Sequence, residues 1–156
     1  MKSTIFTCII AVSGFGLLSA SQTQAQSSAN ASNDSPGKFR VTSTTFQNRS
    51  TLPLSMVYYQ CPAYPGGADQ PPELSWTHAP GGTRSFVVIA YDVTASFTHW
   101  GVYNVSGNAT GLPENAGVAG STYGQQVSSD FGDISYDGPC PPPQFTPVSH
   151  HYVFTV

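Results

Sequence analysis

Three features of the 156-residue chain predict a mainly β fold, a sandwich or Greek key. Runs of β-branched and aromatic residues, each of strand length, recur along it. Clusters of Gly and Pro separate those runs, and no stretch sustains the 3.6-residue apolar period of an amphipathic helix. In chain order, Phe39-Arg40-Val41-Thr42 alternates as a half-buried strand does. Ser85-Phe86-Val87-Val88-Ile89-Ala90-Tyr91 is a continuous apolar run, which predicts a central strand covered on both faces. Trp100-Gly101-Val102-Tyr103-Asn104-Val105 and Tyr152-Val153-Phe154-Thr155-Val156 are β-rich in the same way. Between them, Pro62 to Pro72, Ala79-Pro80-Gly81-Gly82, Gly107 to Gly117 and Gly138 to Pro143 carry turn chemistry. There is no internal repeat.

Charge narrows the function. Only 8% of positions are Asp, Glu, Lys or Arg, against about a quarter in ordinary soluble domains, and the net charge is −3. Nucleic-acid binding needs clustered Lys and Arg to displace phosphate counterions, so that class is excluded. A polybasic membrane anchor is excluded on the same ground.

The N-terminus reads as an address label. Lys2 is the only charge before Asp34, and Ile5 to Leu18 form an uncharged, mostly apolar stretch. Small-residue sites follow at Ser19-Ala20 and Thr23-Gln24-Ala25, the order of a secretory signal peptide. The stretch falls short of the roughly 20 residues a spanning helix needs, so no membrane span is expected after cleavage. Residues 1–25 are therefore read as signal, 26–38 as a polar disordered spacer with nothing to bury, and 39–156 as one domain, secreted or periplasmic. Cys8 leaves with the signal. The two remaining cysteines, Cys61 and Cys140, meet an oxidising compartment, where they are either bridged or two separate buried thiols. A bridge would contribute about 4 kcal/mol through the entropy of the loop it closes.

No phosphate loop, His-Glu-x-x-His, Gly-x-Ser-x-Gly elbow or Cys-x-x-Cys is present. Asp92 and His99 could be joined to one of many serines as a triad, but with so many serines the match is uninformative. A different pattern is more specific. Pro71-Pro72-Glu73-Leu74-Ser75-Trp76 is followed by Ala79-Pro80-Gly81-Gly82-Thr83-Arg84-Ser85-Phe86, then Tyr91-Asp92, His99-Trp100-Gly101-Val102-Tyr103-Asn104 and Leu112-Pro113-Glu114. Gly138-Pro139-Cys140-Pro141-Pro142 and His150-His151-Tyr152-Val153-Phe154 complete the series. In this order the segments resemble the phosphatidylethanolamine-binding protein (PEBP) family, most closely its bacterial Raf-kinase-inhibitor-like branch.

The resemblance implies a PEBP-like β-sandwich with Greek-key connections and a small anion pocket at one end. Its walls here would be Asp92, His99, the Gly138 to Pro142 loop with Gly138, Cys140 and Pro141, then His150 and Tyr152. A phosphate asks for donors, and imidazole N–H, phenol O–H and backbone amides of a Gly/Pro loop supply them. Asp92 would hold a histidine's tautomer so that the ring turns a donor to the ligand. Taken singly, Asp92 could merely start a turn, His99 could be a core histidine, His150 an exposed spacer and Tyr152 a core residue. Trp76 and Trp100 read as core, and His78 and His151 as surface.

Two departures from the family stand out. Its Asp-Pro-Asp-Ala-Pro loop appears here as Asp92-Val93-Thr94-Ala95-Ser96, which loses both prolines, so a looser wall and an opened rim are expected. The family also continues into another strand and a C-terminal helix, so the C-terminal part reads as truncated. The expectation is an exported, non-enzymatic protein binding a small phosphate-type anion or phospholipid head group. It would use no cofactor and no metal, although Asp92, His99 and His150 are a possible ligand set. The alternative is a protein-interaction or inhibitory module, kinase- or protease-inhibitor-like, with a degenerate pocket and a protein partner. A weak hydrolase built on Asp92 and His99 ranks third.

Overall fold

A computed structural model of the chain describes residues 5–10, 37–142 and 149–156. Among these residues the regular structure is almost entirely strand: β1 Ile5–Ile10, β2 Arg40–Thr42, β3 Leu74–Thr77, β4 Ser85–Asp92, β5 Phe97–Ser106, β6 Gly111–Leu112, β7 Gln125–Gln126 and β8 His150–Thr155. One 3₁₀ turn, Leu54–Met56, is added. The strands form a five-stranded sheet in the order β1-β8-β4-β5-β7 and a three-stranded sheet in the order β2-β3-β6. Every pairing is antiparallel. No helix among the described residues is long and apolar enough to cross a membrane.

Period-two alternation builds the core. Along β4, Phe86, Val88, Ala90 and Asp92 turn inward while Val87 and Ile89 turn out. On β8 the inward residues are Tyr152 and Phe154, and from the smaller sheet come Val41, Leu74, Trp76 and Leu112. The two sheets meet at Trp76 and Phe86, whose rings lie 4.9 Å apart, and at Phe46, which packs on Phe154 at 5.1 Å. Both tryptophans are core, as expected, and both satisfy their indole N–H: Trp76 Nε1 donates to the Ala109 carbonyl and Trp100 Nε1 to Gln126 Oε1, each at 2.8 Å.

The four expected strands are present, each within a few residues of its anticipated bounds. One expectation about them is corrected. β4 is central in its sheet, between β8 and β5, but it is not covered on both faces: Val87 is 50% and Ile89 39% exposed. The sheet is antiparallel and packs through one face only, so a continuous apolar run here does not signal two-sided burial. Strand β1 falls within the stretch read as signal and pairs with β8 from Ile5↔Thr155 to Ile10↔His150. The rest of the expected signal, and the spacer up to residue 36, lie outside the described residues; Gly37 and Lys38 are exposed. Cys61 and Cys140 are joined as a disulfide, with Cα atoms 5.4 Å apart, tying the segment after the 3₁₀ turn to the loop before β8.

Candidate functional site

The inner faces of β4 and β8 deliver polar side chains where the hydrophobic core runs out. Asp92 ends the inward series of β4 and pairs directly across the sheet with Tyr152. His150 lies two residues before Tyr152 and so projects from the same face. His99 reaches the site by another route. Ala90 pairs with Trp100 but Tyr91 pairs with Thr98, so β5 carries one extra residue between them. That bulge lets two consecutive residues, His99 and Trp100, both be buried, and it aims His99 at the end of the sandwich.

These groups form one connected network. Asp92 Oδ1 accepts the backbone N–H of Thr94 at 2.8 Å and of Ala95 at 3.0 Å, while Oδ2 accepts Nδ1–H of His150 at 2.6 Å. Burial, first, and the Asp92 carboxylate, second, push the Tyr152 phenol far above its ordinary range. His99 is held elsewhere. Its Nδ1 donates to the Asp137 carbonyl at 2.7 Å, and Asp137 N–H donates back to the His99 carbonyl at 3.1 Å. Burial lowers the His99 pKa, against the opposing pull of that hydrogen bond and of the Asp92 and Asp130 carboxylates. The His99 ring lies edge-on to Tyr152 at 5.3 Å, and the His150 ring stacks on Tyr152 at 6.3 Å.

Together the groups line a cavity of about 270 Å³. Asp92, His99, Cys140, Pro141, His150 and Tyr152, six of the seven residues singled out in the sequence, stand around it. The seventh, Gly138, does not. Its N–H donates to Asp69 Oδ1 at 2.6 Å, and a Cβ on it would lie 2.3 Å from the Met56 carbonyl oxygen. Gly138 is thus a point of close backbone approach rather than an amide offered to a ligand. The expected supply of loop amides is correspondingly thin: Pro139, Pro141 and Pro142 have no N–H, which leaves only Cys140.

The Val93–Ser96 loop, which lacks both prolines, is tied down by hydrogen bonds. Asp92 pairs with Phe97, so residues 93–96 form a four-residue hairpin turn. Asp92 braces it from inside, Val93 N–H donates to the His151 carbonyl at 2.9 Å, and Thr94 Oγ1 accepts the His151 N–H at 3.0 Å.

Three residues of the wall were not singled out, Ala95, Phe97 and Phe131, while Pro142 ends the loop that was expected there. Phe131 is 47% exposed and packs on Phe97 at 4.7 Å and on the His99 ring at 5.6 Å. Its loop is fastened to the start of β5, where Thr98 N–H donates to Asp130 Oδ2 at 2.6 Å and Asp130 N–H to the Thr98 carbonyl at 3.0 Å. Phe131 sits in a Ser/Asp/Gly loop with no sequence pattern pointing to the cavity. A larger open cleft of about 860 Å³ lies between residues 68–73 and 113–118. It suits an anion poorly, because its Glu73 and Glu114 carboxylates face it and are already bonded to Thr44, Ser75, Thr45 and Gln70. Among the described residues, no three His, Cys, Asp or Glu are grouped to hold a metal.

Fold and pocket together describe a β-sandwich with a histidine- and carboxylate-edged cavity. Residues 42–156 match the family model described as phosphatidylethanolamine-binding protein, and the chain belongs to that family. Its relatives include UPF0098 protein YbcL of Escherichia coli (strain K12), 35% identical over 128 residues, covering 76% of this chain and 67% of the relative. A UPF0098 protein of Aquifex aeolicus is 37% identical over 106 residues, covering 65% of this chain and 58% of the relative, so the chain spans little more than half of that protein. The crystal structure of E. coli YbcL, described as a new member of the mammalian PEBP family, superposes with a TM-score of 0.63 at 34% identity over 74% of this chain and 73% of that one. The putative PEBP homologue CT736 of Chlamydia trachomatis gives 0.58 at 27% identity, over 76% and 74%.

Proposed function

We propose that this protein is an exported, non-enzymatic binding protein that takes a small phosphate-type anion, free or as a phospholipid head group, into the cavity at the Asp92 end of the sandwich. The observation that carries this reading is the convergence of three distant segments on that cavity: Asp92 and His99, then Cys140 and Pro141, then His150 and Tyr152. The imidazoles suit an oxyanion, and Phe97, Phe131, Pro141 and Pro142 in the same wall suit the organic remainder of an ester. The family's description as phosphatidylethanolamine-binding supports the ligand class.

A binding role is favoured over catalysis by the wall's chemistry. It carries no Ser, Thr or Lys, its cysteine is in the disulfide, and its one hydroxyl, on Tyr152, has its pKa raised by burial and by the Asp92 carboxylate. Calorimetric titration with phosphoethanolamine and with inorganic phosphate should give saturable binding. His150→Ala removes a ring that meets the anion and should weaken binding roughly tenfold or more. A folded protein that binds neither compound between pH 6 and 8 would overturn the proposal, and turnover of an ester or phosphoester would overturn its non-enzymatic part. Export is tested by the N-terminus of the protein recovered from cells, expected at Gln26.

A further inference from the structure

We infer that the pocket holds its oxyanion together with one proton, placed between a ligand oxygen and Nε2 of His99, so that a fully deprotonated ligand facing a neutral His99 is rejected. The inference rests on the binding reading above and specifies the ionic form of the ligand. It follows from where the donors are spent. A backbone carbonyl can only accept, so the 2.7 Å contact to the Asp137 carbonyl fixes the His99 proton on Nδ1. Nε2 of the neutral ring is then a lone pair. No side-chain N or O among the described residues is buried without a partner, so this nitrogen opens to the cavity. An anionic oxygen cannot meet a lone pair across a hydrogen bond unless a proton lies between them.

Apart from the Cys140 N–H, little nearby substitutes for that proton. No Lys or Arg lines the cavity. The amides of Thr94 and Ala95 are bonded to Asp92, and Gly138 N–H is bonded to Asp69. The ionisable groups around His99 are Asp92 from β4, His150 and Tyr152 from β8, and Asp130 and Asp137 from the segment after β7. Three of these five are carboxylates, a field that opposes a dianion and favours adding a proton. Burial favours the neutral His99 ring; an anion at Nε2 supplies the partner that makes its protonation favourable.

The test is calorimetry on the full chain at pH 7.5 in buffers of differing ionisation enthalpy. Inorganic phosphate and phosphoethanolamine are the monoester-type probes, and glycerophosphoethanolamine is the diester of a lipid head group. The expected result is uptake of close to one proton per ligand bound, with affinity falling about tenfold per pH unit between pH 7.5 and 8.5. For the diester, which cannot carry the proton itself, uptake reports on the ring. His99→Gln, which offers an amide N–H that needs no titration, should bind with no uptake and a flat pH profile. The buffer series on the unaltered protein stands even if that variant does not fold. Saturable binding with buffer-independent heat would mean that the anion is held by protons already present, as on His150, and would overturn this inference while leaving the binding function intact. Failure of all three probes at pH 6 would overturn both.

Discussion

His99 is a buried imidazole whose surroundings keep it uncharged, and that has a consequence for the whole protein's response to acid. Its folded pKa lies below the ordinary imidazole value of about 6.5, chiefly because burial penalises the charged ring. Below pH 6.5 the unfolded chain takes up a proton that the native state refuses. The His99 contribution to stability is therefore complete above that pH and is lost as pH falls from 6.5 toward the lowered native value. Asp69 and Asp137, whose pKa values burial raises, act with the opposite sign: they cost stability as pH rises from the usual carboxylate range through their raised native values. Urea midpoints measured from pH 7.5 to pH 5 should fall for the unaltered protein and fall less for His99→Gln; parallel curves would refute this assignment. Legibility at this scale came from the family resemblance, which put Asp92, His99, His150 and Tyr152 in one pocket; alternation along β4 and β8 accounts for how Asp92, His150 and Tyr152 share a face. The position of His99 depends on a bulge, and that of Phe131 on a loop held by the Asp130–Thr98 hydrogen bonds, neither of which leaves a mark in residue pattern.

At the scale of elements, the loop before β8 is positioned by how closely two backbones can approach. Gly138 runs against residues 56–58, where Tyr58 N–H donates to the Pro139 carbonyl at 3.1 Å. A methyl group at Gly138 would stand 2.3 Å from the Met56 oxygen and 2.4 Å from the Tyr58 nitrogen, backbone atoms that cannot rotate away. Gly138→Ala should cost roughly 3 kcal/mol, as overpacking against a fixed surface does, read as a lowered denaturant midpoint; an unchanged midpoint would show that the loop shifts freely. Strand β1 presents the reverse case. β8 is fixed on its other side by β4, from Ile89↔Thr155 to Asp92↔Tyr152, and by the buried Tyr152 and Phe154. The family match begins at residue 42, after β1. A chain of residues 26–156 should therefore keep its β circular-dichroism spectrum and a cooperative melt, whereas loss of the melt would make β1 an integral part of the sandwich. Short strands explain what sequence reading missed here: β6 and β7 have two residues each, too few to show a period.

For the molecule as a whole, one covalent link joins the middle of the chain to the pocket wall. The sequence showed two thiols in a chain read as exported and left open whether they meet; only the fold, which brings residues 58–61 beside 138–140, decides it. The Cys61–Cys140 bridge spans 79 residues, so breaking it releases the conformational freedom of a loop more than half the described domain. On the loop-entropy estimate this is worth about 4 kcal/mol, and Cys61→Ser with Cys140→Ser should lower the melting temperature on the order of 10 °C. The effect should reach function as well as stability, because Cys140 and Pro141 are wall residues while His99, Asp92, His150 and Tyr152 are anchored by sheet pairing and hydrogen bonds that do not involve the bridge. The doubly substituted protein, measured below its own melting temperature, should bind phosphoethanolamine more weakly than the unaltered protein yet show the same uptake of one proton. A lower melting temperature with unchanged affinity would mean that the Pro-rich wall keeps its place without the bridge, held by the Gly138–Asp69 and Tyr58–Pro139 hydrogen bonds alone.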